Sequence, residues 1–333
     1  MAQRGFDQQM EALDALKGQP IDDAAMALLR KALAGKSNYL AAKAARLAED
    51  AEAASLLPEL IAAFDRFFED AEKSDPQCWA KNALSRALPR LGCREKEEFL
   101  RGLGFHQWEP TWGGKSDTAG TLRANCAHAL VACEDLPNDE LLLLLLDLLV
   151  DADKSVRVET ARAMAQIGEL AVPVLRLRAL IPGEEPDVLA ACFSALLGLD
   201  RDSGIPFVAR FLPAGDDPAG EAAFALAETH SPAALAALLD AHRTATRPEP
   251  WFTGALVSAI ALTRLPEAAD YLIALIERDE RDAPLAIEAL GKAAPNDELR
   301  ARIAKAVDDV GSPRLRKAHT DSGVSAANRE PRR

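Results

Sequence analysis

Apolar residues recur along the chain at helical spacing, in short stripes bounded by turn signals. The clearest stretch is Asp151–Gly168, DADKSVRVETARAMAQIG. Asp151 and Asp153 stand where a side chain accepts the orphan N–H groups of a helix N-terminus. Val156, Thr160, Ala161, Met164 and Ile167 then fall on one face, at i, i+4, i+5, i+8 and i+11. Gly168 follows at the usual C′ position. The same arrangement repeats through most of the chain.

Helices are expected at Phe6–Lys17, ended by Gly18 and Pro20, and at Ile21–Ala34, ended by Gly35. Ser37 or Asn38 caps the next, which runs to Asp50. Ala53–Asp70 reads as a single amphipathic helix with Pro58 in its first turns. Asp75-Pro76 opens a helix to Leu91-Gly92, with Asp as cap and Pro at N1, and Glu95–Leu103 is short. Gly104–Asp117, which holds FHQWEPTWGGKSD, reads as an irregular insert. Thr118–Cys133 and Asn138–Val150 are helical. Past Gly168, Leu170–Ile181 pairs with Asp187–Leu199, and Gly204–Leu212 with Asp217–Glu228. Pro232–His242 pairs with Pro250–Leu265, and Glu267–Arg278 with Asp282–Ala293. Asn296–Val310 has an unusually charged face, as a terminal cap requires. Ser312–Arg333 has six Lys/Arg, two Asp/Glu and almost nothing apolar, and is expected to be disordered.

The second helices align on an Ala-x-Ala-Leu core. Leu88, Leu130, Met164, Leu196, Leu226, Ile260 and Leu290 form one column, at spacings of 42, 34, 32, 30, 34 and 30 residues. The long spacing contains the insert. Val156 matches Leu122 and Val188, and Thr160 matches Cys126, Cys192 and Ala222. A helix pair of this length cannot bury its apolar face alone, so neighbours must stack. The blocks VPVLRLRAL…PDVLAACFSALLGL and D-K-S-V-R-V-E-T-A-R-A-M-A-Q-I-G resemble HEAT repeats of the bacterial HEAT-like (PBS-lyase) type. The resemblance covers residues 37–310. It implies an all-α, right-handed solenoid of about eight HEAT-like helix pairs with helical caps. First helices would line the convex side and second helices the concave side. The expected organisation is N-terminal capping helices at 1–36, a repeat array at 37–295 with the insert at 104–117, a capping helix at 296–311, and a disordered basic tail at 312–333. The insert departs from the family pattern, as do the last two repeats, which lack the arginine found at Arg157.

Net charge is −13. An acidic surface repels phosphate backbones and disfavours nucleic-acid binding by the protein as a whole. Five cysteines with no C-x-x-C read as reduced thiols of a cytoplasmic protein. MAQRGFDQQMEAL lacks an apolar signal-peptide core. The longest apolar run, Leu141–Leu146, is too short to span a bilayer. Membrane association is therefore not expected, and a monomer is.

Candidate chemistry is sparse. Arg123 and Arg157 occupy the family's arginine column beside acids such as Asp151, which suggests an Arg–Asp ladder between repeats. Gly113-Gly114-Lys115-Ser116 is similar to a phosphate loop, but Glu109 stands where the pattern needs glycine and no strand precedes it. Cys93, His106, Cys126, His128 and Cys133 lack tight metal-ligand spacing. Cys126 and Cys133 fall on core columns, so no metal is expected. No His-Glu dipeptide occurs, which removes the di-iron hydroxylases among HEAT proteins. The acidic balance argues against the HEAT-type DNA glycosylases, and only the repeat itself is shared with the lyases.

Two sets of residues remain. In the insert, Trp108 and Trp112 flank Glu109-Pro110, with His106 and Lys115 nearby. The indoles either pack back in an Ω-type loop or form a binding rim. On the second helices, Arg46, Arg86, His128 and Arg162, then Ser194, Phe224, Ser258 and Glu288, form an exposed column, joined by Asn125. Residues 1–311 carry 33 Lys/Arg against 50 Asp/Glu, so a basic N-terminal half of this column would reverse the global sign. Alternatively these cations pair with acids such as Glu159. The expected function is a non-catalytic scaffold or adaptor. It would hold a protein or peptide partner, acidic at the N-terminal half and more apolar near Phe224. No catalytic residue, cofactor or metal is expected. The alternatives are a HEAT-type lyase or glycosylase-like enzyme, and nucleic-acid binding through the basic tail.

Overall fold

The structure, a computed structural model, describes residues 2–245 and 249–323. It is predominantly helical, with twenty α-helices and one two-stranded sheet among the described residues. The chain divides into two compact units, Met1–Ala171 and Val172–Arg333.

The first unit comprises α1 (Ala2–Asp14), α2 (Asp23–Ala34), α3 (Asn38–Asp50), α4 (Leu57–Arg66), α5 (Ala71–Ser74), α6 (Trp79–Arg90), α7 (Lys96–Leu103), β1 (Trp108–Thr111), β2 (Gly114–Asp117), α8 (Gly120–Val131), α9 (Asn138–Leu149) and α10 (Lys154–Met164). Helices α3, α6, α8 and α10 pack in succession as one layer. Behind them α2, α4, α7 and α9 each pack on the next of these in sequence. The second unit comprises α11 (Val172–Ala179), α12 (Pro186–Leu199), α13 (Arg201–Ala209), α14 (Asp217–Glu228), α15 (Pro232–Thr244), α16 (Pro250–Leu262), α17 (Pro266–Glu277), α18 (Ala283–Lys292), α19 (Asp297–Val310) and α20 (Pro313–Asp321). Here α12, α14, α16, α18 and α20 form the succession, backed by α11, α13, α15, α17 and α19.

The column from Leu88 to Leu290 is buried in both units. Alanines on either side, such as Ala83, Ala87 and Ala127, let the helices approach closely. All five cysteines are free and buried, at core positions. Side chains cap the helices where the sequence offers them: Asp22 accepts from the amide of Ala25, Ser37 from Leu40, Asp153 from Ser155, Asp216 from Ala219 and Asn296 from Leu299. Gly168 takes its expected left-handed conformation, φ +93°. Among the described residues, no helix is long and apolar enough to cross a membrane.

Four segments differ from the sequence expectation. Ala53–Asp70 is not one helix: a 3₁₀ turn at Ala54–Leu56 leads into α4, which stops at Arg66. Lys81 Nζ takes the carbonyl of Phe67 at 3.0 Å, and Asp70 turns left-handed at φ +45°. Asp75-Pro76 does not open α6 directly. Gln77 and Cys78 adopt left-handed φ of +58° and +54°, and α6 begins at Trp79. The insert is not irregular but a β-hairpin, pairing Trp108 with Asp117 through Thr111 with Gly114. Gly113, at φ +98°, supplies the tight turn, and Pro110 is tolerated because each strand of a lone hairpin is an edge. Lastly, the segment from Ser312 is not disordered throughout. Pro313 starts α20, whose Leu315 is buried, and Arg314 donates to the carbonyls of Asp279 and Glu280. One buried leucine and a set of helix-end carbonyls sufficed where composition alone predicted disorder. The expected tail beyond Gly323 lies outside the described residues.

Candidate functional site

The most built surface of the first unit starts from a buried ion pair. Asp75 and Lys81 have no exposed side-chain surface and meet at 3.0 Å. One oxygen of Asp75 accepts from the amide of Ala80 at 2.8 Å and from Asn38 Nδ2 at 3.1 Å; the other accepts from the amide of Lys81 at 3.0 Å. Asp75 thus caps α6 from beyond the left-handed turn. The Lys81 ammonium also sits over the rings of Phe68 and Phe105, at 5.8 and 5.5 Å. Through Asn38 this knot ties the start of α3 to the start of α6. It brings Tyr39 and Trp79 together, ring centroids 5.6 Å apart and tilted by 44°. Both remain exposed, at 50% and 39%.

Arg46 lies two turns beyond Tyr39, and Arg86 two turns beyond Trp79. Glu49 of α3 is nearly buried, its side chain 5% exposed. Arg86 Nε donates to one of its oxygens at 3.1 Å, and Arg90 binds the other. Two guanidinium groups therefore share one carboxylate, while their own side chains stay 48% and 65% exposed. Arg46, also exposed, makes no ion pair among the described residues. On α8, Asn125 is a bridge rather than a free group: its amide donates to the carbonyl of Asn82 at 3.1 Å and to Ser85 Oγ at 3.0 Å. His128 meets one oxygen of Glu159 at 2.9 Å, and Arg162 donates to the other at 2.5 Å. The acid-paired alternative thus describes His128 and Arg162. A local excess of positive charge remains at α3 and α6.

The hairpin joins the aromatic end of this face. Glu109 accepts from the amide of Gln77 at 2.7 Å, and Gln77 in turn accepts from Trp79 Nε1 at 3.3 Å. Gln107 Nε2 donates to the Asp75 carbonyl at 2.9 Å. Asp117 closes the hairpin root. It accepts from the amides of Gln107 and Ala119 at 3.0 Å each, from Arg123 at 2.7 Å, and pairs with His106 Nδ1 at 2.7 Å. Burial alone would raise its carboxyl, but these four donors together hold it down at about 2. Arg123, 2% exposed, also forks onto Asp151 at 2.8 and 3.1 Å, so this arginine serves to anchor the insert. Arg157 donates to the carbonyls of Asp151 and Ala152 at 2.7 and 3.2 Å.

The root is rigidly held and the tip is not covered. Trp112, in the turn, is fully exposed, Trp108 is 51% exposed, and Lys115 is exposed beside them. The indoles do not pack back as an Ω-type loop would require. A two-residue hairpin turn points the tip away from the helices that could cover it. Trp108 stacks on His106, with planes 12° apart. Phe224 lies in the second unit, on α14, 36% exposed.

The thiols are poor nucleophiles. Burial pushes Cys78 up to about 11 and Cys93 and Cys192 up to about 12, and raises Cys126 and Cys133 as well. Among the described residues, no three His, Cys, Asp or Glu side chains are grouped so as to hold a metal.

Sequence reading missed Tyr39, Trp79 and Arg90. A signal was present: Tyr39 precedes Arg46 by seven residues and Trp79 precedes Arg86 by seven, two helical turns along the same exposed stripe. Compared with models of known protein families the chain matches none, and it matches no curated protein.

Proposed function

We propose that this protein is a non-catalytic scaffold or adaptor whose helix pairs are repeats of the HEAT type. In this reading the exposed face of α3 and α6, with the hairpin tip, binds an acidic segment of a partner protein. The observation that carries it is the sharing of one buried carboxylate, Glu49, by Arg86 and Arg90. The pair leaves one unneutralised cation, and Arg46 adds a second, on a chain of net charge −13. Exposed guanidinium groups favour carboxylates through their planar fork. Tyr39, Trp79, Trp108 and Trp112 supply the aromatic anchors that dominate binding energy at interfaces. The alternation of buried column and exposed stripe supports the repeat assignment. The five buried thiols favour a cytoplasmic location.

The test separates the face from the hairpin. A fluorescein-labelled Glu- and Trp-containing peptide is titrated by anisotropy against the wild-type chain and two variants. Arg86→Glu with Arg90→Glu should abolish measurable binding. Trp108→Ala with Trp112→Ala should weaken binding with an unchanged melting temperature, since neither indole is buried. Full affinity in both variants would exclude this face.

A further inference from the structure

Helices α3 and α6 pack side by side and touch at two landmarks. Near their starts, the rings of Tyr39 and Trp79 meet at 5.6 Å. Near their ends, Glu49 of α3 holds Arg86 and Arg90 of α6. The two helices therefore run parallel. Arg46 follows Tyr39 by seven residues and Arg86 follows Trp79 by seven, which puts the guanidinium end about 10.5 Å from the aromatic end.

The Glu49 carboxylate uses few of the donors around it. Arg86 places Nε at 3.1 Å and Nη2 at 3.0 Å from one oxygen, and Arg90 places Nη1 on the other. Nη1 of Arg86, and Nε and Nη2 of Arg90, make no hydrogen bond among the described residues. Arg46 stands three residues before Glu49, beside it on the surface of α3, and is exposed. Neighbouring charges leave the balance on this stripe as it is. Lys43 is paired with Asp14, Asp50 lines the cleft at the turn 16–21, and Glu159 serves His128 and Arg162. Three guanidinium groups against one carboxylate leave two positive charges.

We infer that the α3–α6 face binds a phosphorylated segment of a partner protein. The phosphate would sit on Arg46, Arg86 and Arg90, and an aromatic side chain three residues away would lie against Tyr39 and Trp79. This rests on the acidic-segment reading and narrows its ligand. A carboxylate brings one charge and two oxygens. A phosphomonoester at neutral pH approaches two charges and brings three acceptor oxygens, which matches the residual charge and the three guanidinium groups. Glu49 already holds two of those groups in place, so less side-chain freedom is lost on binding. The spacing selects the aromatic position: an extended chain advances about 3.3–3.6 Å per residue, so three residues span the ~10.5 Å between the two ends. A nucleic acid fits less well, because successive phosphates need a row of cations and this chain has a net charge of −13.

The test titrates fluorescein-labelled peptides by anisotropy against the full chain. The first carries phosphoserine with Trp three residues to either side. The second replaces phosphoserine by Glu, and the third moves both Trp residues next to phosphoserine. The first should bind about three- to tenfold more tightly than the second, and more tightly than the third. Arg46→Gln removes an exposed cation and leaves the Glu49 pairs intact, so it should abolish the preference for phosphate over Glu without lowering the melting temperature. Lys305→Gln, an exposed change on α19, should leave that preference unchanged. Equal binding of the first two peptides, or a preference that survives Arg46→Gln, overturns the phosphate assignment while the acidic-segment reading stands. Equal binding of the first and third peptides overturns the spacing, and equal binding of decathymidylate overturns the choice of a phosphorylated protein segment. No binding by either of the first two peptides removes this inference and the acidic-segment reading together.

Discussion

The Asp75–Lys81 pair sets the geometry of the aromatic end of the face, and its removal should be costly and strongly coupled. In Asp75→Ala, the Lys81 ammonium stays buried with only the Phe67 carbonyl and two ring faces for company. The amides of Ala80 and Lys81 and the Asn38 side chain lose their acceptor in the same step. Breaking a fully buried pair in this way costs about 3–5 kcal/mol. For a unit of this size that corresponds to a fall of about 6–20 °C in melting temperature. Lys81→Met should fall at the lower end of the range, because the Asp75 carboxylate retains three N–H donors. The double variant Asp75→Ala, Lys81→Met leaves no buried charge, so its loss should be smaller than the sum of the single losses by about 1–3 kcal/mol. Differential scanning calorimetry of the full chain is the appropriate assay, because two units can melt in separate steps. Asp75→Ala melting within a degree or two of wild type, or strict additivity of the two changes, would refute the knot as described.

Further tests address packing, the C-terminus and acid. Gly102→Ala places a Cβ 2.5 Å from Cys126 Sγ and 3.3 Å from Leu122, and should cost about 1–3 kcal/mol of stability in thermal melts; adding Cys126→Ala should recover part of that loss. Truncation after Gly311 removes α20 with its buried Leu315 and should lower stability by at least about 1.5–3 kcal/mol. Asp117 titrates at about 2 in the fold against an ordinary 3.8. Its contribution is therefore complete above about pH 4 and lost as pH falls toward 2. Asp117→Asn should remove that part of the acid dependence, read by the melting temperature across this window.

Much of the helix pattern was legible because it rests on local periodicity. The Leu88-to-Leu290 column and Cys126, Cys133 and Cys192 were placed in the core by spacing alone, and they are buried there. The cap residues Ser37 and Asp153 were equally readable, since N-cap chemistry is local. What could not be read depends on partners distant in sequence. The left-handed turn at Gln77–Cys78 exists because Asp75 reaches Lys81 and Asn38, and the hairpin is rooted through Asp117 on Arg123 and Gln107 on Asp75. Helix α20 depends on carbonyls more than thirty residues away. For the candidate face, Arg46, Arg86, His128 and Arg162 were readable as a column. Which of them stays uncompensated was not, because that depends on Glu49 being buried between two arginines and on Glu159 serving both His128 and Arg162.

We propose above that the α3–α6 face binds acidic partners through uncompensated arginines. Its most direct test is the salt dependence of the acidic-peptide titration, run from 50 to 300 mM salt (about 14 to 6 Å of screening length), on the wild type and on Arg86→Glu with Arg90→Glu. Wild-type affinity should fall steeply with salt, and the residual affinity of the variant should be weak and flat. A peptide that binds both chains with the same affinity and the same slope would contradict it.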